Sequence, residues 1–466
     1  MRKGYDSGAS PLYGALKAQD ALPLSAALKA EANYQPTLDE IPFNVYFDPD
    51  YAAREQAAVW SRCWQFVCRE EDIPDVGDRY TYDVGDLSYI VIRSGAEEFK
   101  ALRNSCLHRG TRLCNGISAG DEIKCPFHGW RWGVDGAVKR IPGKWDFPQV
   151  DARYALPQAR LERWAGCIFI NPDQDATPLK EALGVLPEHF AHFSLAHRYT
   201  LVKTAKKIRA NWKTVWAAFL EAYHVEETHW DAAPFTGDAN TQYDCFRTGA
   251  TVISRLITPQ AVPSPYLKDV SARQGAINMA KSFIGAFAAA DLELPDTSAD
   301  NFGRTDVAAW WRVALGGLLG KDLSGVSDCE MLDSIQYAMF PNFGPWLGEG
   351  LPLMYQFLPL GDNPNESLFV VRLLAPLPDD GTIPPAAPMT YLDFDEPFSS
   401  IEAWGRVAPV FDQDMENLPL VQQGMRAFSP EFPNLTLGRY QEQRIAHMHE
   451  FIEAQIAQLT AQQVAQ

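Results

Sequence analysis

The sequence predicts an α+β protein: a small all-β unit first, then a larger domain in which a mainly antiparallel sheet is surrounded by helices. Three observations carry this reading. Between about 67 and 170, short β-branched or aromatic runs ("RYTYDV", "LSYIVIR", "FKALRNS", "GCIFIN") are divided by Gly, Asp and Asn. Beyond "NPDQDATP" the pattern turns helical until strands return at "SIQYAMF", "PLMYQFLPL" and "ESLFVVRLLAPL". From Ser399 onward it is helical again.

In chain order, residues 1–40 read as an arm with a short amphipathic stretch near Leu24 to Ala32, closed by the loop signal "NYQPTLDEIP". A leading helix is expected over Val45 to Phe66, where Ala52, Ala57, Val59 and Trp60 fall at helical spacing; with the strands it makes up a domain of 41–170. The second domain is expected over 171–466. A chain of 466 residues with 46% hydrophobic positions buries a substantial core. Its formal net charge of -18 argues against nucleic-acid binding and suits a basic protein partner. The N-terminal "MRKGYDSGASPLYGALKAQD" lacks the continuous apolar segment of an export signal, so a cytoplasmic protein is expected. No membrane span is expected either, since "GAINMAKSFIGAFAAADLEL" is interrupted by Asn278 and Lys281, and "VAAWWRVALGGLLG" by Arg312.

Eight cysteines are too few for a disulfide framework in so long a chain, which turns attention to metal or redox roles. Cys63, Cys68, Cys114, Cys167, Cys245 and Cys329 have no histidine at ligand spacing and read as small buried hydrophobes. "CLHRG" and "CPFHGW" differ, each pairing a cysteine with a histidine: Cys106 with His108, Cys125 with His128. Two thiolates and two imidazoles suit either tetrahedral zinc or a [2Fe–2S] cluster with both cysteines on one iron and both histidines on the other. Zinc fingers usually group cysteines in one half and histidines in the other; one of each per loop favours the cluster. Gly110 and Gly129 allow tight turns, and Pro126 stiffens the second loop.

A second histidine pair lies in "EAYHVEETH". His224 and His229 could supply two nitrogens of a facial triad holding non-heme Fe(II), with a carboxylate from elsewhere. Five residues on an ideal helix turn through about 140°, so convergence requires a π-bulge or a helix end near Val225 to Thr228.

Cluster loops followed by Asn211, Trp212 and Lys213, then Glu221, Tyr223, His224 and His229, resemble the Rieske non-heme iron oxygenases (ring-hydroxylating oxygenases) in their large catalytic α subunit. The resemblance spans nearly the whole chain. It implies an all-β Rieske [2Fe–2S] domain held by Cys106, His108, Cys125 and His128, then a catalytic domain with a mononuclear Fe(2+) on His224, His229 and one Asp. "FDQDMENL" offers that Asp: Asp414 is chosen on the following "MEN", with Asp412 as runner-up. Glu221 and Asn211 are the candidate catalytic residues. The family usually has Asp at the position of Glu221, where it bridges a cluster histidine of one subunit to an iron-ligand histidine of its neighbour. That bridge implies a head-to-tail homotrimer, with or without a small β subunit.

The resemblance further implies O2 as co-substrate and electrons from NADH or NADPH through a partner reductase, with or without a ferredoxin. No GxGxxG fingerprint opens a helix here, so the nicotinamide is expected to bind elsewhere. The expected reaction is mono- or cis-dihydroxylation of an aromatic or alicyclic hydrophobic compound, in aromatic hydrocarbon catabolism. Oxidative N- or O-demethylation is the alternative within the family. Outside it stand a Rieske electron carrier without mononuclear iron and a zinc-stapled protein. Phe219, Phe235, Phe340, Phe343, Trp346 and Phe411 are candidate pocket residues, and apolar helices within about 260–330 could form a lid.

Overall fold

The computed structural model describes residues 4–249, 251–282, 292–378, 380 and 382–464. The predicted β runs are strands: Arg79–Val84, Leu87–Arg93, Phe99–Arg103 and Cys167–Asn171 join Gln65–Arg69, Gln158–Trp164 and Ile117–Ser118 in a seven-stranded sheet. A three-stranded sheet of Glu122–Lys124, Arg131–Gly133 and Val138–Arg140 lies beside it in sequence and carries the second Cys-His loop. The expected leading helix is broken into a 3-10 turn (Phe43–Tyr46), an α-helix (Pro49–Glu55) and a π-helical turn (Gln56–Trp60), and its last residues already belong to the strand Gln65–Arg69.

The second part is built on an eight-stranded sheet in the order Gln242–Arg247, Val252–Thr258, Ser334–Met339, Gly344–Leu347, Leu353–Pro359, Ser367–Pro376, Arg198–Ile208, Thr390–Leu392. Every pairing is antiparallel except the last, where Thr204 to Lys206 run parallel to Thr390 to Leu392. The helix expected beyond "NPDQDATP" is present in pieces, Leu179–Ala182, Leu186–His189, Trp212–Ala218, Ala272–Ser282, Arg304–Leu319 and Asp328–Leu332; the strands Gln242–Arg247 and Val252–Thr258 interrupt it, and so does Arg198–Ile208, an eleven-residue strand. Its lysines disguised it. Lys203 is buried in an ion pair with Asp72, and Lys206 donates to the carbonyls of Asp393 and Phe394, the latter at 2.8 Å, so residues that read as surface charges sit inside.

One large apolar core joins the two sheets, with Trp60, Val91 and Ile168 on one side and Trp212, Trp216 and Phe411 on the other. A smaller core of Ile90, Leu102, Ile123, Trp130 and Trp132 lies under the Cys-His loops. A third joins the helices Ala272–Ser282 and Arg304–Leu319 through Ala276, Val307, Trp311 and Leu315, beside Phe235. Part of the apolar stretch read as a lid, 283–291, lies outside the described residues. No helix among the described residues is long and apolar enough to cross a membrane. The arm lies against the larger sheet, where Arg255 donates to the carbonyls of Ala27 and Ala30, and Glu40–Pro42 pairs with Asn434–Thr436.

The C-terminal helix Gln443–Val464 buries His447 and His449. Burial, with nearby Arg247, depresses the first to about 4; burial, with Lys213, depresses the second to about 3. Both folded pKa values lie below the unfolded value near 6.5, so the unfolded chain takes up protons first on acidification. Stability from these two groups is expected to be intact above about pH 6.5 and to fall by up to about 1.4 kcal/mol per histidine per pH unit until their folded pKa values are reached. Urea midpoints between pH 7 and 5 check this: in His449→Gln, a slope as steep as the wild type's would refute it.

Candidate metal centres and the cavity between the sheet and the helices

The two Cys-His loops share one hydrogen-bond plan. Gly110 N–H donates to Cys106 O at 2.9 Å and Gly129 N–H to Cys125 O at 3.1 Å, each glycine at φ near +70° where a Cβ would strain the turn. Cys106 and Cys125 are buried, whereas His128 is exposed and His108 half-buried. The sulfurs therefore lie inside and the imidazoles outside. Burial pushes the Cys125 thiol up, but the N–H groups of His128 and Phe127 point at it and hold it below its ordinary value, which favours the ligating thiolate. The His108 ring stacks on Trp130 at 5.2 Å and 4°, fixing its plane, while its buried Nδ1 has no partner in the protein.

These donors suit two irons better than one zinc. A tetrahedral zinc would gather all four ligand atoms to within about 3.3–3.8 Å of one another. Among the described residues, the group of three or more His, Cys, Asp or Glu atoms lying within 4.8 Å of one another is His224, His229 and Asp414, not the loops. The loop ligands instead form two close pairs: Cys106 beside Cys125, and two histidine rings 4.6 Å apart.

The second centre begins with Asn211, whose side chain caps the helix Trp212–Ala218 by accepting from Lys213 N–H at 2.9 Å. Asn211 also donates to Pro364 O at 2.7 Å and is not among the residues that line the cavity. Both ends of its amide are occupied by backbone. After the helix ends, Glu221 opens a single turn, Val225–Thr228, with His224 before it and His229 after it. His229 leaves helical geometry at φ -112°, ψ 46°, which lets it converge with His224. Glu221 Oε1 binds His224 Nδ1 at 2.6 Å and Oε2 accepts from His224 N–H at 3.1 Å. Burial pulls the His224 pKa down, but Glu221 and then Asp414 outweigh it and raise it to about 9.

Asp414 comes from the helix Ala408–Arg426, on its buried stripe with Phe411 and Leu418. Its Oδ1 lies 3.6 Å from His224 Nε2 and 3.3 Å from His229 Nε2. Asp412 points elsewhere and accepts from the N–H groups of Phe398 and Ser399 at 2.6 and 3.1 Å. Gln413, which sequence reasoning missed, accepts from His229 Nδ1 at 2.8 Å while its amide nitrogen donates to Asp231 at 3.3 Å. That carboxylate fixes the amide orientation, hence the His229 tautomer, and leaves Nε2 free for a metal. Adjacency to Asp414 was its one sequence signal.

The triad opens on a cavity of about 200 Å³. Phe219, Phe235, Trp346 and Phe411 line it, as do Met279, from the first of the two apolar helices, and Met331. Phe340 and Phe343 do not: the first stacks on Trp216 and the second packs against Phe66 and Phe169 in the core.

Residues 63–151 match the Rieske [2Fe-2S] domain, and residues 190–458 match the ring hydroxylating alpha subunit catalytic domain. The chain belongs to the ring-hydroxylating α-subunit family, with a Rieske domain ahead of the catalytic one. Similar curated proteins include the carnitine monooxygenase oxygenase subunit of Escherichia coli (strain K12), 30% identical over 199 residues, covering 41% of this chain and 52% of that one. The anthranilate 1,2-dioxygenase large subunit of Acinetobacter baylyi is 28% identical over 200 residues, covering 40% and 42%. The chain thus spans about half the length of the curated relatives it matches. Among solved structures, a quaternary ammonium Rieske monooxygenase bound to L-carnitine superposes with a TM-score of 0.60 at 15% identity, over 89% of this chain and 95% of that one. Naphthalene 1,2-dioxygenase from Rhodococcus sp. gives 0.58 at 17%, over 90% and 94%. At these identities the structures establish a shared fold.

Proposed function

We propose that this chain is the terminal oxygenase component of a multicomponent system, hydroxylating an aromatic or alicyclic hydrophobic substrate with O2 and electrons from NADH or NADPH. A separate reductase, with or without a ferredoxin, delivers the electrons. The observation that carries the reading is the convergence of His224, His229 and Asp414 within 4.8 Å on the wall of a largely apolar cavity. When bound, a Rieske cluster on the loops supplies electrons one at a time and a mononuclear iron at the triad supplies the site of O2 activation. The residues themselves orient and exclude. Glu221 and Gln413 hold protons at the Nδ1 atoms of His224 and His229, leaving both Nε2 atoms to face the ion. Phe219, Phe235, Leu353 and Phe411 exclude water and position an apolar ring beside it.

Exposed aromatic side chains support head-to-tail association as a homotrimer. Phe127 (55% exposed) and Trp145 (86%) flank the cluster loops, and Tyr223 (57%) and Trp230 (70%) flank the triad. Joining these patches between subunits would bring one chain's loops to the next chain's Glu221. Oxidative N- or O-demethylation is the alternative, favoured by the similarity to carnitine and glycine betaine monooxygenases.

Iron and acid-labile sulfide on anaerobically purified protein, with the electron paramagnetic resonance spectrum after dithionite, test the reading. About three irons and two sulfides per chain, a reduced Rieske signal and substrate-dependent O2 uptake with a surrogate reductase are expected. Two irons after iron loading and no O2 uptake would make the protein an electron carrier.

A further inference from the structure

Charge is spread unevenly over this acidic chain. Its formal net charge is -18, yet between Arg103 and Arg153 nine Lys and Arg stand against five Asp and Glu. The excess gathers on the three-stranded sheet that carries the second Cys-His loop. Lys124 pairs across the strands with Arg131, and Arg131 with Arg140, so three cations stand in one row. Ile123 and Trp132, their neighbours in sequence, belong to the small core under the loops, which leaves the row on the outer face. Lys124 and Arg140 are exposed. The row runs along the base of the loop: Lys124 precedes Cys125, Arg131 follows Trp130, and Pro142 packs against Gly129. Arg109, from the first loop, lies over the ring of Phe127 at 4.9 Å, next to the exposed His128. Like charges directly opposite one another repel across strands, so the row does not serve the stability of the sheet. Arg112, Arg131 and Arg153 are neutralised by Asp83, Glu122 and Asp151, but Arg109, Lys124, Lys139 and Arg140 make no ion pair among the described residues.

We propose that the row Lys124, Arg131 and Arg140, with Arg109 beside it, is the docking surface for an acidic electron-transfer protein that reduces the cluster held by the same loops. This rests on the oxygenase reading and fixes the charge of its partner, which is opposite in sign to the one the net charge suits. Each visit passes one electron from the reduced carrier to the oxidised cluster, and the carrier leaves oxidised. Two arguments select a separate carrier over a second copy of this chain. Lasting interfaces between copies are apolar at their centres and poor in Lys, a role that the exposed Phe127 and Trp145 suit; unpaired, exposed Lys and Arg suit an encounter steered by charge. A carrier must also bind and leave for every electron, and contacts of that kind are small.

The probe is an acidic plant-type [2Fe–2S] ferredoxin. Its binding to the full chain is measured by calorimetry, and its rate of cluster reduction by anaerobic stopped flow, both from about 0.02 to about 0.3 M salt. Association is expected to weaken by at least about tenfold over that range. Lys124→Gln with Arg140→Gln should weaken it severalfold at low salt and Arg140→Lys should leave it unchanged, while the Rieske signal of each variant matches the wild type's. Reduction of the double variant by the methyl viologen radical cation should not slow. Salt-independent binding, or binding that the double variant leaves intact, would overturn the docking surface. A double variant that sediments as a smaller assembly than the wild type would assign the row to a neighbouring copy and overturn it too. Neither readout uses O2 or the mononuclear iron, so the outcomes separate: a three-iron preparation whose ferredoxin binding ignores salt sinks the docking surface alone, and a two-iron preparation sinks the oxygenase reading while the binding is still measured.

Discussion

His224→Ala is expected to lose the mononuclear iron while keeping the cluster: iron falling from about three to two per chain, sulfide staying at about two, and the reduced Rieske signal intact. Two features make the separation clean. Cys106, His108, Cys125 and His128 sit on loops over their own small core, and His224 lies in the second part of the chain, just ahead of the turn Val225–Thr228. The proposed triad offers three protein ligands, so deleting one would leave two, too few to retain Fe(II) through purification. Substrate oxidation should fall by at least about 100-fold, beyond the 10–100-fold typical of losing an outer hydrogen-bond partner. Gln413→Leu provides that milder comparison, because it removes the acceptor at 2.8 Å from His229 Nδ1 without touching a ligand. Loss of cluster signal in His224→Ala would mean that the two centres are not built independently.

Glu55→Ala is expected to cost about 3–5 kcal/mol of stability, the range for stripping one partner from a buried ion pair. Lys213 and Glu55 are 0% and 3% exposed, and the ammonium donates to Glu55 Oε2. Glu55 Oε1 accepts from the Trp212 indole at 2.7 Å. Burial pulls the Lys213 pKa down and Glu55 opposes it; without Glu55 the lysine must be buried as an unpaired charge or lose its proton. The faces of Tyr51 and Trp212, each 5.3 Å from the ammonium, compensate little of that. Because this pair ties the helix before Glu221 to the segment Pro49–Glu55, its loss should also loosen the iron site. Urea unfolding measures the cost, and Glu55→Leu with Lys213→Met should recover most of it. A single-variant cost below about 1 kcal/mol would show that the pair is not desolvated in solution.

The Asn-Trp-Lys run shows how far the sequence could be read. It marked the family, yet the partner of Lys213 lies 158 residues away, and nothing in local spacing points to it. The Cys-His loops were legible because each closes within five residues on a glycine that its own turn requires. The strand Arg198–Ile208 was not, because buried lysines look exposed until Asp72 and the carbonyls of Asp393 and Phe394 are placed against them.

By itself the sequence indicated the order of the two units, the candidate ligand types of both centres and the need for a π-bulge or a helix end near Val225 to Thr228, since all are read from short motifs and their spacing. Only the tertiary structure shows that Asp414 rather than Asp412 lies beside the two histidines, that Asn211 caps the helix Trp212–Ala218, and that Gln413 meets His229. Those outcomes depend on which groups meet across hundreds of residues, and a hydrogen bond or a buried charge is worth something only in relation to the partner that the fold brings to it.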